Sequence, residues 1–168
     1  MSAPEPRREL LADTGEFPNS PFPVLVYAGA ADDTDLAATF EALFERHGWS
    51  GSWRNGLYRQ HHFHSTAHEV LGVYRGEVDV RLGGPDGPLV TLRAGDVAII
   101  PAGVAHKNER QSSDFAVVGA YPTGTGPDMQ YGKPGERPRV DRNIAAVAVP
   151  ALDPVHGAGG ALPRLWVR

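Results

Sequence analysis

Cysteine is absent from this sequence of 168 residues. The absence excludes disulfide bonds, thiolate metal ligands, cysteine-held iron–sulfur clusters and a cysteine nucleophile. Any metal site in the chain must therefore be built from nitrogen and oxygen ligands, which histidine, aspartate and glutamate supply.

Long apolar runs and a strong excess of one charge are also missing. No stretch approaches the ~18 consecutive apolar residues that a membrane-spanning helix needs, and the N-terminal MSAPEPRREL lacks the apolar core of a signal peptide. The formal net charge is −4, which is typical neither of a nucleic-acid-binding surface nor of one that binds anionic membranes. We therefore expect a cytoplasmic protein with no nucleic-acid or membrane partner.

The size and composition of the chain fit one domain with a sizeable core. Hydrophobic residues make up 41% and charged residues 21%, as in ordinary globular proteins. Residues 1–21 contain several prolines and charged side chains, so we expect much of this segment to be extended or loosely held. The domain itself is expected to span residues 22–168.

The patterning predicts a mainly β protein with one N-terminal helix. Apolar residues at helical spacing predict that helix over residues 32–49, with Asp33 or Thr34 capping its start. Many short strands separated by turn residues favour an antiparallel barrel or sandwich. Residues 122–143 are rich in glycine and proline and are a candidate lid over the barrel mouth. The predicted strands are 22–27, 57–64, 69–75, 77–82, 89–93, 97–101, 105–109 and 115–121, with late strands at 144–149 and 163–168.

Three histidines and one glutamate form the most informative pattern in the chain. His62 and His64 are separated by one residue, which places both side chains on the same face of a strand. Glu69 opens the next predicted strand, and His106 arrives from a distant segment beside a Pro-x-Gly turn. Three imidazoles and one carboxylate can hold one divalent transition metal ion and leave coordination positions open.

Residues next to these four extend the prediction. Tyr58 and Gln60 share the strand face of the two paired histidines and are candidate substrate-binding residues. His61 and His68 are out of phase with the four, so we expect them to face away or to support the site from behind. A histidine cluster can also be a surface patch that binds no metal. The second motif around His106, with its own glycine and proline positions, favours a built site.

The two motifs resemble those of the cupin family. The first cupin motif, G-x5-H-x-H-x4-E-x6-G, is matched at every fixed position over residues 56–76. The second, G-x5-P-x-G-x2-H-x3-N, is matched over residues 95–108 at its glycine, proline and histidine positions. Arg110 stands where that motif has asparagine, and Asn108 lies two residues earlier. Residues 115–143 look like those of a subgroup of small bacterial cupins.

The resemblance implies a single conical antiparallel β-barrel, also called a double-stranded β-helix or jelly roll, that commonly forms a homodimer. It also implies one divalent metal ion, Fe, Mn, Ni, Zn, Cu or Co, held by His62, His64, Glu69 and His106. Two functions follow as hypotheses. One is a metal-dependent enzyme of the dioxygenase, isomerase or lyase type acting on a small organic acid, sugar or aromatic molecule. The other is a non-catalytic module that binds a metal and a small ligand, since a fold does not fix a function.

Overall fold

The computed structural model describes residues 3–168, which form two antiparallel sheets and three helices. The strands are β1 Arg7–Glu9, β2 Val24–Tyr27, β3 Trp49–Asn55, β4 Glu69–Arg75, β5 Glu77–Leu82, β6 Leu89–Arg93, β7 Val97–Ile100, β8 His106–Gln111 and β9 Ala116–Pro122. The helices are α1 Leu36–Arg46, α2 Arg139–Ala146 and α3 Leu162–Leu165. The larger sheet has the order β1-β2-β7-β4-β9-β3, and the smaller one has the order β6-β5-β8.

An aliphatic core fills the space between the two sheets. Val78, Val80 and Leu82 of β5 are buried at every second position, as expected for a strand with one face on a core. Leu71 and Val73 of β4 belong to the same cluster, so the inner faces of both sheets contribute to it. The predicted antiparallel β-barrel with an N-terminal helix is therefore confirmed.

The outer face of the larger sheet is buried as well, because α1 and the C-terminal segment cover it. Phe40 and Phe44 of α1 are fully buried against this face. Gly72 of β4 permits the close approach, since a Cβ atom at this position would lie 2.7 Å from the Phe40 ring. Strands β2 and β7 are consequently buried at every residue and show apolar runs without alternation.

Helix α1 is shorter than predicted and has a different cap. Asp35 accepts a hydrogen bond from the N–H of Ala38 at 3.1 Å, which satisfies a free donor of the first turn. The prediction of Asp33 or Thr34 as the cap is wrong. The carboxylate of Asp33 instead accepts from the N–H of Asp35 in the turn that precedes the helix.

The N-terminal segment, expected to be extended or loosely held, contains an extended strand and is tied to the barrel from residue 7 onward. Strand β1 pairs with β2 at the edge of the larger sheet. Leu11 and Phe17 are buried in the hydrophobic clusters. The amide of Asn19 bonds main-chain groups of Gly83 and Ala105, which are far away in sequence.

Other sequence predictions of secondary structure need correction. Residues 57–64 contain only isolated β-bridges at His62 and Phe63, whereas β1 and β3 were not predicted. The expected late strands at 144–149 and 163–168 are wrong, because α2 and α3 occupy parts of both segments. Short apolar segments fit a helical turn and a strand equally well, so their periodicity does not separate the two. Among residues 3–168, no helix has the length and apolarity needed to cross a membrane.

Candidate metal centre

The four predicted ligands meet at one end of the barrel because of how the strands are ordered. Glu69 is the first residue of β4 and His106 the first residue of β8. His62 exchanges two main-chain hydrogen bonds with His106, at 3.2 and 2.9 Å, which brings the His-x-His segment to the start of β8. Phe63 points the opposite way and is fully buried in a small cluster with Phe17.

The side chains of these residues form a compact buried cluster. One ring nitrogen from each of His62, His64 and His106 lies within 4.8 Å of the other two. Oε1 of Glu69 lies 3.5 Å from Nε2 of His64 and 3.4 Å from Nε2 of His106. All four residues are buried. The sequence therefore predicted correctly that these residues come together, and metal binding by them stays a prediction.

Hydrogen bonds fix the ring orientation of each histidine. In each imidazole Nδ1 faces a main-chain carbonyl oxygen: that of Gln60 for His62 at 2.9 Å, that of Asp128 for His64 at 2.7 Å and that of Val104 for His106 at 3.0 Å. A carbonyl oxygen can only accept, so Nδ1 carries the proton in every ring. The neutral rings then have their lone pair on Nε2, which is the arrangement that metal-binding histidines use.

One fully buried nitrogen of the cluster is left without a hydrogen bond. Nε2 of His106 is buried and has no hydrogen-bond partner among the described residues, because a proton on Nδ1 leaves Nε2 with none to donate to Glu69. Buried polar atoms are rarely left in this state, and each such case calls for an explanation. A metal ion would satisfy this nitrogen, so the residues present fit the donor set that the motifs imply.

The electrostatics of the cluster favour a bound cation. Burial, together with the nearby His106, lowers the pKa of His62 to about 3, so this ring is neutral. Burial by itself raises the pKa of Glu69, but its contacts with His106 and His64 outweigh burial and hold the pKa below its usual range. Burial lowers the pKa of His64, and the contact with Glu69 outweighs this and raises it. The cluster thus places an ionised carboxylate beside three buried imidazoles, which is a donor set suited to a divalent cation.

A clasp formed by Asp128 holds the following loop against the ligand segment. Its carboxylate accepts hydrogen bonds from the N–H of Ser65 at 2.6 Å, from the hydroxyl of Ser65 and from the amide of Gln130 at 2.9 Å. Burial raises the pKa of Asp128, but these bonds outweigh it and lower the pKa. The same residue positions His64 through its carbonyl oxygen. This part of the segment 122–143 is therefore held in place, and its role as a lid stays a prediction.

A cavity of about 420 Å³ adjoins the cluster, and His62, His64 and Glu69 contribute to its lining. Tyr58 lies in the lining at the rim, with its side chain 62% exposed and its ring centre 5.3 Å from that of His62. Gln60 is exposed, does not line the cavity and acts on His62 through its main-chain carbonyl. Residues 57–61 do not continue the strand that would have aligned the Gln60 side chain with the cavity, and its role as a substrate ligand stays a prediction.

Two aromatic residues of the cavity were missed by sequence reasoning. Trp53 on β3 donates a hydrogen bond from its indole N–H to the Tyr121 hydroxyl at 2.8 Å. Burial and the negative charge of Glu69 raise the pKa of Tyr121, which keeps it protonated. Gly119 makes room for the pair, since a Cβ atom there would overlap the Trp53 indole. Only the pairing of β3 with β9 brings these residues together, and β3 carries no clear strand pattern.

The other histidines lie outside the cluster. His68 is buried against Trp166, accepts a hydrogen bond from the N–H of Ala102 at 2.8 Å and contacts the carbonyl of Ala148 at 3.1 Å. Burial lowers the pKa of His68 to about 4, so its ring is neutral. His61 packs against Phe17 instead of pointing into the cavity.

An irregularity in β8 explains the departure from the second motif. In the pairing of β5 with β8, Arg110 lies opposite Asp79 and Asn108 lies opposite Val80. Glu109 therefore has no partner on β5 and forms a β-bulge. Arg110 consequently projects to the surface, where it forms a salt bridge with Asp79 at 3.2 Å. Asn108 is the residue that is buried, and its amide donates to the side chain of Gln111 at 2.8 Å.

Comparison with known proteins agrees with this architecture. A model of the cupin domain matches residues 54–118. The uncharacterized protein YjlB of Bacillus subtilis (strain 168) is 45% identical over 157 residues, which cover 93% of each chain. The chain belongs to the cupin family.

Two solved structures are similar at a lower level. Acireductone dioxygenase from Bacillus anthracis, with a cadmium ion in its active center, is 17% identical with a TM-score of 0.44, over 62% of this chain and 82% of that chain. A conserved protein of Klebsiella pneumoniae subsp. pneumoniae MGH 78578 with a double-stranded β-helix domain is 20% identical with a TM-score of 0.37, over 79% and 84% of the two chains. Similarity at this level carries no argument about ligands or activity.

Proposed function

We propose that this protein is a metal-dependent cupin enzyme that acts on a small organic molecule in the cavity beside the His/Glu cluster. One divalent transition metal ion would be held by His62, His64, Glu69 and His106. The observation that carries the proposal is that three imidazoles, each with Nδ1 bonded to a carbonyl, turn Nε2 toward one point next to a cavity of about 420 Å³. A cavity of this size is within the range of ligand sites.

The charge balance of the four residues supports an ion of this kind. Three neutral imidazoles and one carboxylate leave a divalent ion with a net charge of about +1. Such an ion supplies Lewis acidity to an oxygen of the substrate, or redox chemistry if it is iron. Fe, Mn, Ni, Zn, Cu and Co all accept this nitrogen and oxygen donor set, so the donor set does not select one of them.

The residues around the cluster have distinct roles in the proposal. Leu57 and Met129 form an apolar wall that holds the body of the substrate and excludes water. Tyr121 remains a neutral hydroxyl that can orient a substrate oxygen, and Tyr58 closes the rim. Reactions of the dioxygenase, isomerase and lyase types on an organic acid, a sugar or an aromatic molecule are compatible with this set.

The cavity separates this proposal from a non-catalytic binding module. A module that uses metal only for stability needs a closed site with protein ligands on all sides. Here the cluster borders a cavity large enough for a small molecule. The open side therefore favours the enzyme over the module.

Elemental analysis tests the metal part of the proposal. The protein should be purified without a polyhistidine tag, together with His106→Ala and the matched control His61→Ala, which removes a neighbouring imidazole outside the cluster. We expect near-stoichiometric metal in the wild type and in His61→Ala, and its loss in His106→Ala. A wild-type protein that takes up none of the metals Fe, Mn, Ni or Zn would contradict the proposal.

Turnover measurements test the catalytic part. The metal-loaded protein should be incubated with panels of hydroxy acids, sugars and catechols, and both binding and product formation measured. Turnover that His106→Ala abolishes is the expected result. Tight binding of several compounds with no turnover of any would instead support the binding module.

We also propose a homodimer located in the cytoplasm. The end strands of the larger sheet, β1 and β3, each have one neighbour in the sheet, and sheet edges are commonly covered by pairing across a two-fold axis. Analytical ultracentrifugation measures the mass directly. A sedimentation mass near the monomer value of 18.0 kDa at micromolar concentration would contradict the dimer.

A further inference from the structure

The wall of the cavity is apolar and, within residues 3–168, its lining includes no lysine or arginine. Apart from the histidines, the apolar and aromatic lining residues are Trp53, Leu57, Tyr58, Tyr121, Pro127 and Met129. A carboxylate or phosphate in contact with this wall would lose its hydration and gain no opposite charge, which is costly. The wall therefore selects for an uncharged body in whatever molecule occupies it.

Because the described residues of the lining include no lysine or arginine, a bound metal ion would be the main source of positive charge in the cavity. Glu69 is the single carboxylate there, and a divalent ion held with it would keep a net charge of about +1. One negative charge on a ligand balances this, whereas a second one has no partner among the lining residues. The lining thus sets the charge of the ligand as well as the character of its body.

A directed hydrogen-bond donor lies between the cluster and the apolar wall. In the pairing of β4 with β9, Val70 lies opposite Ala120, which places Glu69 across from Tyr121. In the pairing of β3 with β9, Trp53 lies opposite Gly119, which places its indole next to the Tyr121 ring. The indole N–H donates to the Tyr121 oxygen at 2.8 Å, so the Tyr121 O–H proton is left to point elsewhere. Glu69 lies across the ladder from this hydroxyl, so its proton is available to the Glu69 carboxylate or to a ligand oxygen beside it.

We propose that the cavity selects a monoanionic molecule that offers two oxygens to the ion and carries a planar apolar body. A 2-hydroxy or 2-oxo monocarboxylic acid with an aromatic side chain has this chemistry. Tyr121 donates a hydrogen bond to one of the two oxygens, and Trp53 holds the phenol in position. Dicarboxylates and phosphorylated sugars bind poorly, because their second charge meets the apolar wall. This inference rests on the proposed metal site.

A matched pair of probes tests the selectivity. 3-Phenyllactate and malate share the same 2-hydroxy acid head and differ in a phenyl group or a second carboxylate. Titration calorimetry with the zinc-loaded protein should give a dissociation constant about ten-fold lower for phenyllactate. Met129→Lys places a cation in the wall and should shift the preference toward malate by a similar factor.

A second comparison tests the role of the hydroxyl. Tyr121→Phe should weaken phenyllactate binding by about 10- to 100-fold, as expected for the loss of one hydrogen bond to an anion. Tyr74→Phe removes a hydroxyl on β4 outside the cavity lining and should change the affinity by less than about two-fold. Zinc content and thermal melting are measured for each variant, so a misfolded protein is recognised.

The outcomes separate this inference from the proposed function. If zinc binds stoichiometrically but malate binds as tightly as phenyllactate, or neither binds, the inference is overturned while the metal site stands. The assignment of Tyr121 is likewise overturned if Tyr121→Phe binds phenyllactate as the wild type does. If wild-type protein binds no metal, the proposed function and this inference both fail.

Discussion

Replacing Asp128 by alanine should weaken metal binding even though this residue is not one of the four predicted ligands. Its carboxylate accepts three hydrogen bonds, two from Ser65 and one from Gln130. Its carbonyl oxygen accepts the Nδ1 proton of His64 at 2.7 Å. Loss of the carboxylate releases the loop, and the carbonyl then no longer fixes the His64 ring.

The expected losses of stability and of metal affinity follow from the groups that Asp128→Ala leaves without a partner. Ser65 is fully buried, and its N–H would lose its partner in Asp128→Ala. A buried donor without a partner costs about 1–3 kcal/mol, and the bonds from the serine hydroxyl and Gln130 to the charged carboxylate are lost as well. We expect the free energy of unfolding to fall by about 3 kcal/mol. Metal affinity should fall by about 10- to 100-fold, as when an outer hydrogen-bond partner of a metal-binding histidine is removed.

A carboxylate in the same loop provides the control. Glu136 accepts hydrogen bonds from the N–H groups of Tyr131 and Gly132 at 3.0 and 2.8 Å and makes no hydrogen bond to His64 or Ser65. Glu136→Ala should therefore lower stability without changing metal affinity. Urea unfolding of the metal-free proteins measures the stability, and competition with a chromophoric zinc chelator measures the metal affinity. Equal metal affinities for wild type and Asp128→Ala would refute the idea that this clasp orients His64.

Three further predictions concern the stability of the fold. Gly72→Ala places a methyl group 2.7 Å from the Phe40 ring and should cost about 1–3 kcal/mol; a urea midpoint equal to that of the wild type would contradict this packing. The pKa of His68 is about 4 in the folded protein, below the unfolded value of 6.5. The neutral buried ring therefore contributes stability that is fully present above pH 6.5 and is lost as the pH falls to 4. The stability advantage of the wild type over His68→Gln in urea should therefore shrink by about 3 kcal/mol between pH 7 and pH 4, and a constant difference would be inconsistent with a buried neutral ring. Tyr27→Phe removes a 2.7 Å hydrogen bond to the fully buried Asp153 and should cost about 2 kcal/mol, which lowers the thermal midpoint by about 4–8 °C in a domain of this size; an unchanged midpoint would show that the bond contributes nothing.

The sequence predicted the candidate ligands because their spacing is a local property. His62 and His64 must lie on the same side of any extended segment, and the distances to Glu69 and to the second motif match a recurrent pattern. The same reasoning was wrong about the backbone around Gln60. It extended an ideal strand through residues 57–61, where the chain forms no regular pairing.

Alternation and turn residues also predicted most strands of the barrel. The strands from β4 to β9 agree closely with the predicted ranges, because glycine-rich turns separate apolar segments of strand length. Strand β3 escaped prediction, since its glycine and serines weaken the β pattern and only its pairing with β9 defines it. The C-terminal helices were taken for strands because their few apolar residues carry no clear period.

The sequence by itself determined the nitrogen and oxygen character of the site, the identity of four candidate ligands and the antiparallel barrel that carries them. These features follow from composition, from spacing along the chain and from the alternation of side chains in strands. Tertiary structure alone decided the orientation of the imidazoles, the Asp128 clasp, the pairing of Trp53 with Tyr121 and the apolar wall without a cation. Each of those depends on contacts between segments that are far apart in the chain, and such contacts leave no local pattern in the sequence.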